Sequence, residues 1–134
     1  MSLNNGPDTD PRPIRITEVG PRDGLQNESD VVSTDAKVMF VDALSKSGVG
    51  EIEVGSFVSP RAIPQLADSD EVFRRITRQP NVVYSALVPN EPGLERARAA
   101  AVNKIAVFTA ASDLFTQHNI NCMVSESIER FRPV

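Results

Sequence analysis

Four short apolar runs begin near residues 14, 51, 82 and 104, and a helical pattern follows each, so strand and helix alternate along the chain. Strands joined in series by helices must run parallel with right-handed crossovers, which leaves the doubly wound sheets and the (β/α) barrels. Ile14 to Val19 alternates and ends at Gly20-Pro21. Ser33 or Thr34 then caps a helix to about Lys46, with Ala36, Met39, Phe40, Ala43 and Leu44 on one face, and Gly48 or Gly50 stops it. Glu51 to Val54 is a second strand, feeding a long loop from Gly55 to Ala67. A helix from about Ser69 to Thr77 follows, with Val72, Phe73 and Ile76 on one side. Asn81 to Val88 is nearly all apolar, as in a strand covered on both faces of a parallel sheet. Asn90 caps a helix to Val102 that turns Leu94, Ala97 and Ala101 inward, and Lys104 to Phe108 is the fourth strand. A polar loop from Thr109 to about Asn119 and a helix from Ile120 or Asn121 complete the pattern.

Gly20-Pro-Arg-Asp-Gly24 has the wrong spacing for a dinucleotide-binding turn and contains a proline, which favours the barrel. The expected class is therefore α/β: parallel (β/α) units of a TIM barrel, its first four strands. An eight-stranded barrel takes roughly 250 residues. These 134 residues, read as one domain over 14 to 134, amount to about half of one. Met1 to Pro13, with Pro7, Pro11 and Pro13 and almost nothing apolar, reads as a mobile leader, partly a cloning remnant at Met1-Ser-Leu3.

A content of 40% hydrophobic and 24% charged residues is that of an ordinary soluble chain. The apolar runs fall far short of the roughly 20 residues that span a bilayer, and no signal-peptide pattern is visible, so no membrane is expected and the cytoplasm is the expected compartment. Cys122 stands alone, which excludes an internal disulfide. Fourteen basic residues against eighteen acidic ones, a net charge of -4, and aromatics limited to Tyr84 and six Phe give a nucleic-acid surface little support.

The loop from Glu18 to Glu28 has the look of a site. It sets a cation, Arg22, beside an anion, Asp23, and Gly24 then lets backbone pass close to whatever they hold. On these residues alone the pair could equally be solvated and worth little. In a barrel the loops after the strands share one mouth, which would gather Arg22 and Asp23, Glu53 with Ser56, and the Thr109 loop.

Val19-Gly-Pro-Arg-Asp-Gly-Leu-Gln-Asn-Glu28, Glu53-Val-Gly-Ser-Phe-Val-Ser-Pro60 with Pro64-Gln65, and Ala106-Val-Phe-Thr-Ala-Ala-Ser112 with Asn119-Ile-Asn-Cys122 closely resemble the 3-hydroxy-3-methylglutaryl-CoA lyase family. That family belongs to the metal-dependent TIM-barrel lyases and synthases, and the match runs in order over residues 14 to 134. The resemblance implies retro-Claisen cleavage of the acyl-CoA thioester to acetyl-CoA and acetoacetate, as in leucine degradation, with a divalent metal, Mg or Mn. It implies that Asp23 is a metal ligand, a hard carboxylate suited to a hard cation. Arg22 matches the arginine that faces the developing enolate, where fixed charge is worth most, and Arg supplies charge without acid catalysis. Glu53 matches the third member of the triplet, an orienting partner for the arginine or a proton relay.

Gln26, Ser56 and Thr109 are weaker candidates for substrate hydrogen bonding, since polar loop residues usually satisfy backbone groups. Phe57 and Val58 are expected to pack beneath the mouth. His118, a lone histidine, makes no metal site, and Cys122 is expected to be structural. A homo-oligomer is the expected assembly.

The chain departs from the family pattern in what it lacks. The His-x-His ligands, an asparagine ligand and a reactive cysteine loop belong to the second half of such a barrel, and Val124, Ile128 and Phe131 still follow a helical period at the last residues. The 134 residues alone are therefore expected to be marginally stable and inactive, or to pair with another half. A related aldolase or Claisen synthase acting on 2-oxo acids, and an inactive half that works only by association, are the alternatives.

Overall fold

A mixed layer of helices covers one face of a four-stranded sheet in the computed structural model, which describes residues 14–134. The expected leader, residues 1–13, lies outside the described residues. The strands are β1 (Thr17–Glu18), β2 (Glu51–Ser56), β3 (Val83–Leu87) and β4 (Lys104–Ala106), and the helices are α1 (Thr34–Leu44), α2 (Ser69–Arg75), α3 (Glu91–Ala99), α4 (Asp113–Ile120) and α5 (Val124–Arg130). Strand order is β1-β2-β3-β4 and every pair is parallel, the consequence of a helical crossover between successive strands. Thr17 aligns with Glu51, Ile52 with Tyr84, and Ala86 with Ile105. A bulge between Glu53 and Gly55 shifts the β2–β3 register.

The period of two along the strands sorts the side chains. Ile52, Val54, Tyr84, Ala86 and Val88 join Val41, Val72, Phe73, Leu94 and Ala97 in one core between sheet and helices. The opposite face carries Glu51 and Glu53; both oxygens of Glu51 accept from Lys104 Nζ at 2.9 and 3.0 Å, a bridge across β3. Phe57 is buried, its ring 5.8 Å from that of Phe73 and under the guanidinium of Arg96, so it packs beneath the strand ends as expected. No helix of the described residues is long and apolar enough to cross a membrane.

Several boundaries differ from the sequence reading. The first strand is only two residues long, because it has one neighbour among the described residues and Ile14 and Ile16 are exposed. Helix α1 buries Lys37 and Val41 and leaves Met39 and Phe40 exposed, so its inner face is turned away from the one that hydrophobicity alone selects. The reason is Lys37, whose apolar stem packs inward while its ammonium finds the half-buried acceptors Gln65 O and Asp68 Oδ1. Helix α3 stops at Ala99, three residues before Val102. There Arg78 takes the carbonyls of Ala100 and Ala101, Ala100 is buried in place of Ala101, and Ala101 turns to φ +53°. The region expected as a polar loop to Asn119 contains α4, started by Ser112 Oγ accepting from Phe115 N and ended by Asn121 in the left-handed region. The final helix consequently starts at Val124.

Candidate active site

The loop after β1 folds as a single wide turn. The carbonyl of Val19 accepts from the amides of Arg22, Asp23 and Gly24 at 3.1, 2.7 and 3.5 Å, giving a π-helical turn over Gly20–Gly24. Pro21 has no amide hydrogen to place and fixes the entry into the turn. Position 20 is tight: a Cβ there would lie 2.9 Å from Glu18 Oε1, which accepts the Gly20 amide at 2.7 Å, so any larger residue would push the Glu18 carboxylate aside. Such turns concentrate at functional sites because they aim successive side chains off the regular helical track.

That turn aims Arg22 between two carboxylates. Its Nη1 donates to Asp23 Oδ1 at 2.7 Å, and its Nη2 donates to Glu53 Oε2 at 3.1 Å. Exposure grades across the three, with side chains 8% exposed for Glu53, 19% for Arg22 and 56% for Asp23. The buried carboxylate thus has the arginine as its ionic partner, and the arginine charge is held where water is sparse. Arg22 Nε and Gln26 Oε1 are buried without a hydrogen-bond partner, one donor and one acceptor left open in the same loop. Asp23 spends Oδ1 on Arg22, while its carbonyl accepts from Asn27 Nδ2 at 2.7 Å.

The structure brings together Arg22, Asp23 and Glu53 and keeps Gln26 in the same loop. Ser56 and Thr109 are engaged elsewhere. The Ser56 hydroxyl donates to Leu87 O at 3.4 Å and accepts from Val58 N at 3.3 Å, and Thr109 Oγ1 pairs with Ser127 Oγ of α5 at 2.5 Å. Asn27 and Glu18, which brace the turn, carry no role in the sequence reading; an Asn just past a turn is the signal that could have pointed to one. A cavity of about 520 Å³ lies among Val58, Leu87, Pro89, Phe108, Ile120 and Phe131, and none of the triplet lines it.

A divalent cation fits this donor set in part. Asp23 is a hard, half-exposed carboxylate with Oδ2 free of hydrogen bonds among the described residues. Those residues contain no group of three or more His, Cys, Asp or Glu able to enclose an ion, so Asp23 would be one ligand of several.

Comparison with known proteins finds related lyases. A 3-hydroxy-3-isohexenylglutaryl-CoA/hydroxy-methylglutaryl-CoA lyase of Pseudomonas aeruginosa is 52% identical over 124 residues, covering 92% of this chain and 41% of the relative. The crystal structure of hydroxymethylglutaryl-CoA lyase from Pseudomonas aeruginosa matches with a TM-score of 0.87 at 52% identity, over 90% of this chain and 40% of that one. An HMG-CoA lyase from Acinetobacter baumannii, solved in complex with coenzyme A and 3-methylmalate, matches with a TM-score of 0.83 at 42% identity, over 87% and 38%. The chain spans about two fifths of the length of these relatives, and its parallel sheet matches the N-terminal part of the lyase barrel. Since the HMGL-like family pattern matches residues 13–134, nearly the whole sequence, the chain belongs to the HMGL-like family.

Proposed function

We propose that this chain supplies the Arg22, Asp23 and Glu53 part of a carbon–carbon lyase site that cleaves 3-hydroxy-3-methylglutaryl-CoA to acetyl-CoA and acetoacetate. The observation that carries the reading is the arginine fixed between two carboxylates at the end of β1, in a chain about half identical to such lyases. Coenzyme A bound to a related lyase supports an acyl-CoA ligand.

In this reaction the tertiary hydroxyl of the substrate loses its proton, and the C2–C3 bond breaks as the oxygen becomes the ketone of acetoacetate. The bonding pair passes to the acetyl-CoA half as an enolate, which then takes a proton at carbon. A bound Mg or Mn ion, when present, polarises substrate oxygens, and Asp23 Oδ2 is the atom that would hold it. Arg22 presents its charge to the enolate oxygen through guanidinium hydrogens not spent on Asp23 and Glu53. Glu53 keeps the guanidinium in plane through Nη2, so the 3.1 Å pair supports the orienting role over a proton relay.

With one metal ligand among the described residues, the 134-residue chain by itself is expected to bind the thioester without turning it over. The test follows the Arg22 Nε–H signal by NMR while hydroxymethylglutaryl-CoA and Mg are added, alongside an acetoacetate assay. A shift of that signal is expected in the wild-type chain, with the accompanying shift of the Asp23 amide lost in Arg22→Gln. An unmoved Arg22 signal, or turnover indifferent to Arg22→Gln, would sink the proposal.

A further inference from the structure

Lys37 is a charged residue only 4% exposed on the packed side of α1, and nothing in the proposed reaction uses it. A buried ammonium persists only when its hydrogens are matched. Here Nζ donates to Gln65 O at 2.6 Å and to Asp68 Oδ1 at 2.5 Å. The second oxygen of Asp68 accepts from Thr34 Oγ1 at 2.7 Å, and the Gln65 side chain reaches across to Glu28 O at 3.1 Å. Nζ therefore ties the first turn of α1 to the 3-10 turn Pro64–Leu66 and to Asp68 just before α2, and the Gln65 side chain carries the link on to Glu28, the last residue of the loop that bears Arg22 and Asp23. The neighbouring Ser69 closes the circuit onto β2, since its Oγ donates to Leu66 O at 2.8 Å and accepts from Ser56 N at 3.1 Å.

We infer that Lys37, with Gln65 and Asp68, is a clamp of positioning residues that holds the Arg22–Asp23 loop in register with the strand carrying Glu53. Arg22 and Glu53 lie 31 positions apart on different elements, and their 3.1 Å contact survives only while loop and strand keep their spacing. Within the loop, Asn27 and Glu28 fold back on Gly24 and Leu25, so a tether at Glu28 is passed along successive turns to Asp23. Lysine suits the position because its three donors can serve two acceptors on a neighbouring segment from a rigid helix. The effect of the clamp on turnover rests on the lyase reading, whereas its effect on geometry does not.

Lys37→Met keeps the stem and removes the ammonium. Nitrogen–proton NMR of the 134-residue protein would follow the Arg22 Nε–H and the amides of Asp23 and Glu28, with Val41→Ala on the same helix as a control for lost packing. Both variants are expected to melt at lower temperature. Only Lys37→Met is expected to shift the Arg22 and Asp23 signals well below its melting point. Gln65→Ala cuts the strap to Glu28 and is expected to move Glu28 and Asp23 with little change in melting, which decides the matter if Lys37→Met does not fold. Site signals that respond alike to Lys37→Met and Val41→Ala, or that stay put in Gln65→Ala, overturn the clamp. In a preparation that turns over, Lys37→Met should lower kcat on the order of tenfold with KM little changed, as expected for lost orientation. Failure of hydroxymethylglutaryl-CoA with Mg to move the wild-type Arg22 signal would count against the lyase reading alone, because the clamp signals need no ligand.

Discussion

Gly55 and Ser69 touch: a Cβ at position 55 would sit 2.6 Å from Ser69 Oγ and 3.1 Å from its Cβ. The same hydroxyl accepts the Ser56 amide, so the start of α2 closes onto the bulged end of β2 only because position 55 has no side chain. Gly55→Ala is therefore expected to cost about 1–3 kcal/mol by overpacking. Ser69→Ala in the same chain should recover part of that loss. Denaturant melts of the two single variants and the double variant measure the coupling, and strict additivity would contradict the contact.

Arg22→Met strands the Glu53 carboxylate, which is 8% exposed, without its ionic partner. A loss of about 1–3 kcal/mol is expected from the unsatisfied buried group. Glu53→Gln keeps an acceptor for Nη2, so its stability should change less. In a preparation that turns over, its effect belongs to the chemistry, with activity expected to fall about 10- to 100-fold, the usual consequence of losing an orienting partner. Chemical denaturation and a steady-state lyase assay separate the two effects.

Asp23 is half exposed, and Asp23→Asn should alter stability by no more than about 0.5 kcal/mol. Because one carboxylate holds Mg weakly, millimolar Mg is expected to move the melting temperature of the wild-type chain by less than about one degree. The decisive comparison is Mg-dependent binding of the thioester, which Asp23→Asn should remove. Equal Mg dependence in both proteins would place the metal elsewhere.

Helix α1 offers a test of its own orientation. Met39, 72% exposed, should tolerate Met39→Glu within about 0.5 kcal/mol, whereas Phe73→Ala on α2, 1% exposed and stacked on Phe57, should cost about 3–5 kcal/mol. Thermal melts of the two variants would reverse in order if the face containing Met39 were the buried one.

Much of the architecture was legible in the residues. The near-continuous apolar run around Tyr84 announced a strand covered on both sides, and the helical spacing of Val72, Phe73 and Ile76 located the buried side of α2. Lys37 defeated the same logic on α1, since hydropathy counts an ammonium as solvent-facing and cannot see that Asp68 and Gln65 wait for it. Helix α4 was hidden for another reason: its buried position is Thr116, while Leu114 and Phe115 are exposed, so no apolar face marked it and only the Ser112 cap did. At the site, the adjacency of Arg22 and Asp23 could be read directly. No local rule ties an arginine to a glutamate 31 positions later, so the third partner came from the barrel layout, which gathers Glu53 at the same mouth, and from the motif resemblance that gave it a role. The engagement of Ser56 and Thr109 by Leu87 and Ser127 depends on tertiary neighbours that spacing does not encode.

The irregularity between Glu53 and Gly55 divides β2 into two stretches with separate registers against β3. Below it, the alignment of Glu53 with Ser85 sets where the carboxylate aims; above it, Ser56 against Leu87 sets the path of the loop that leaves the sheet. Lengthening or trimming that loop can thus redraw the rim above the sheet without rotating the acidic side chain beneath it, so what a ligand meets at the edge can vary while the Arg22–Glu53 pair stays as it is.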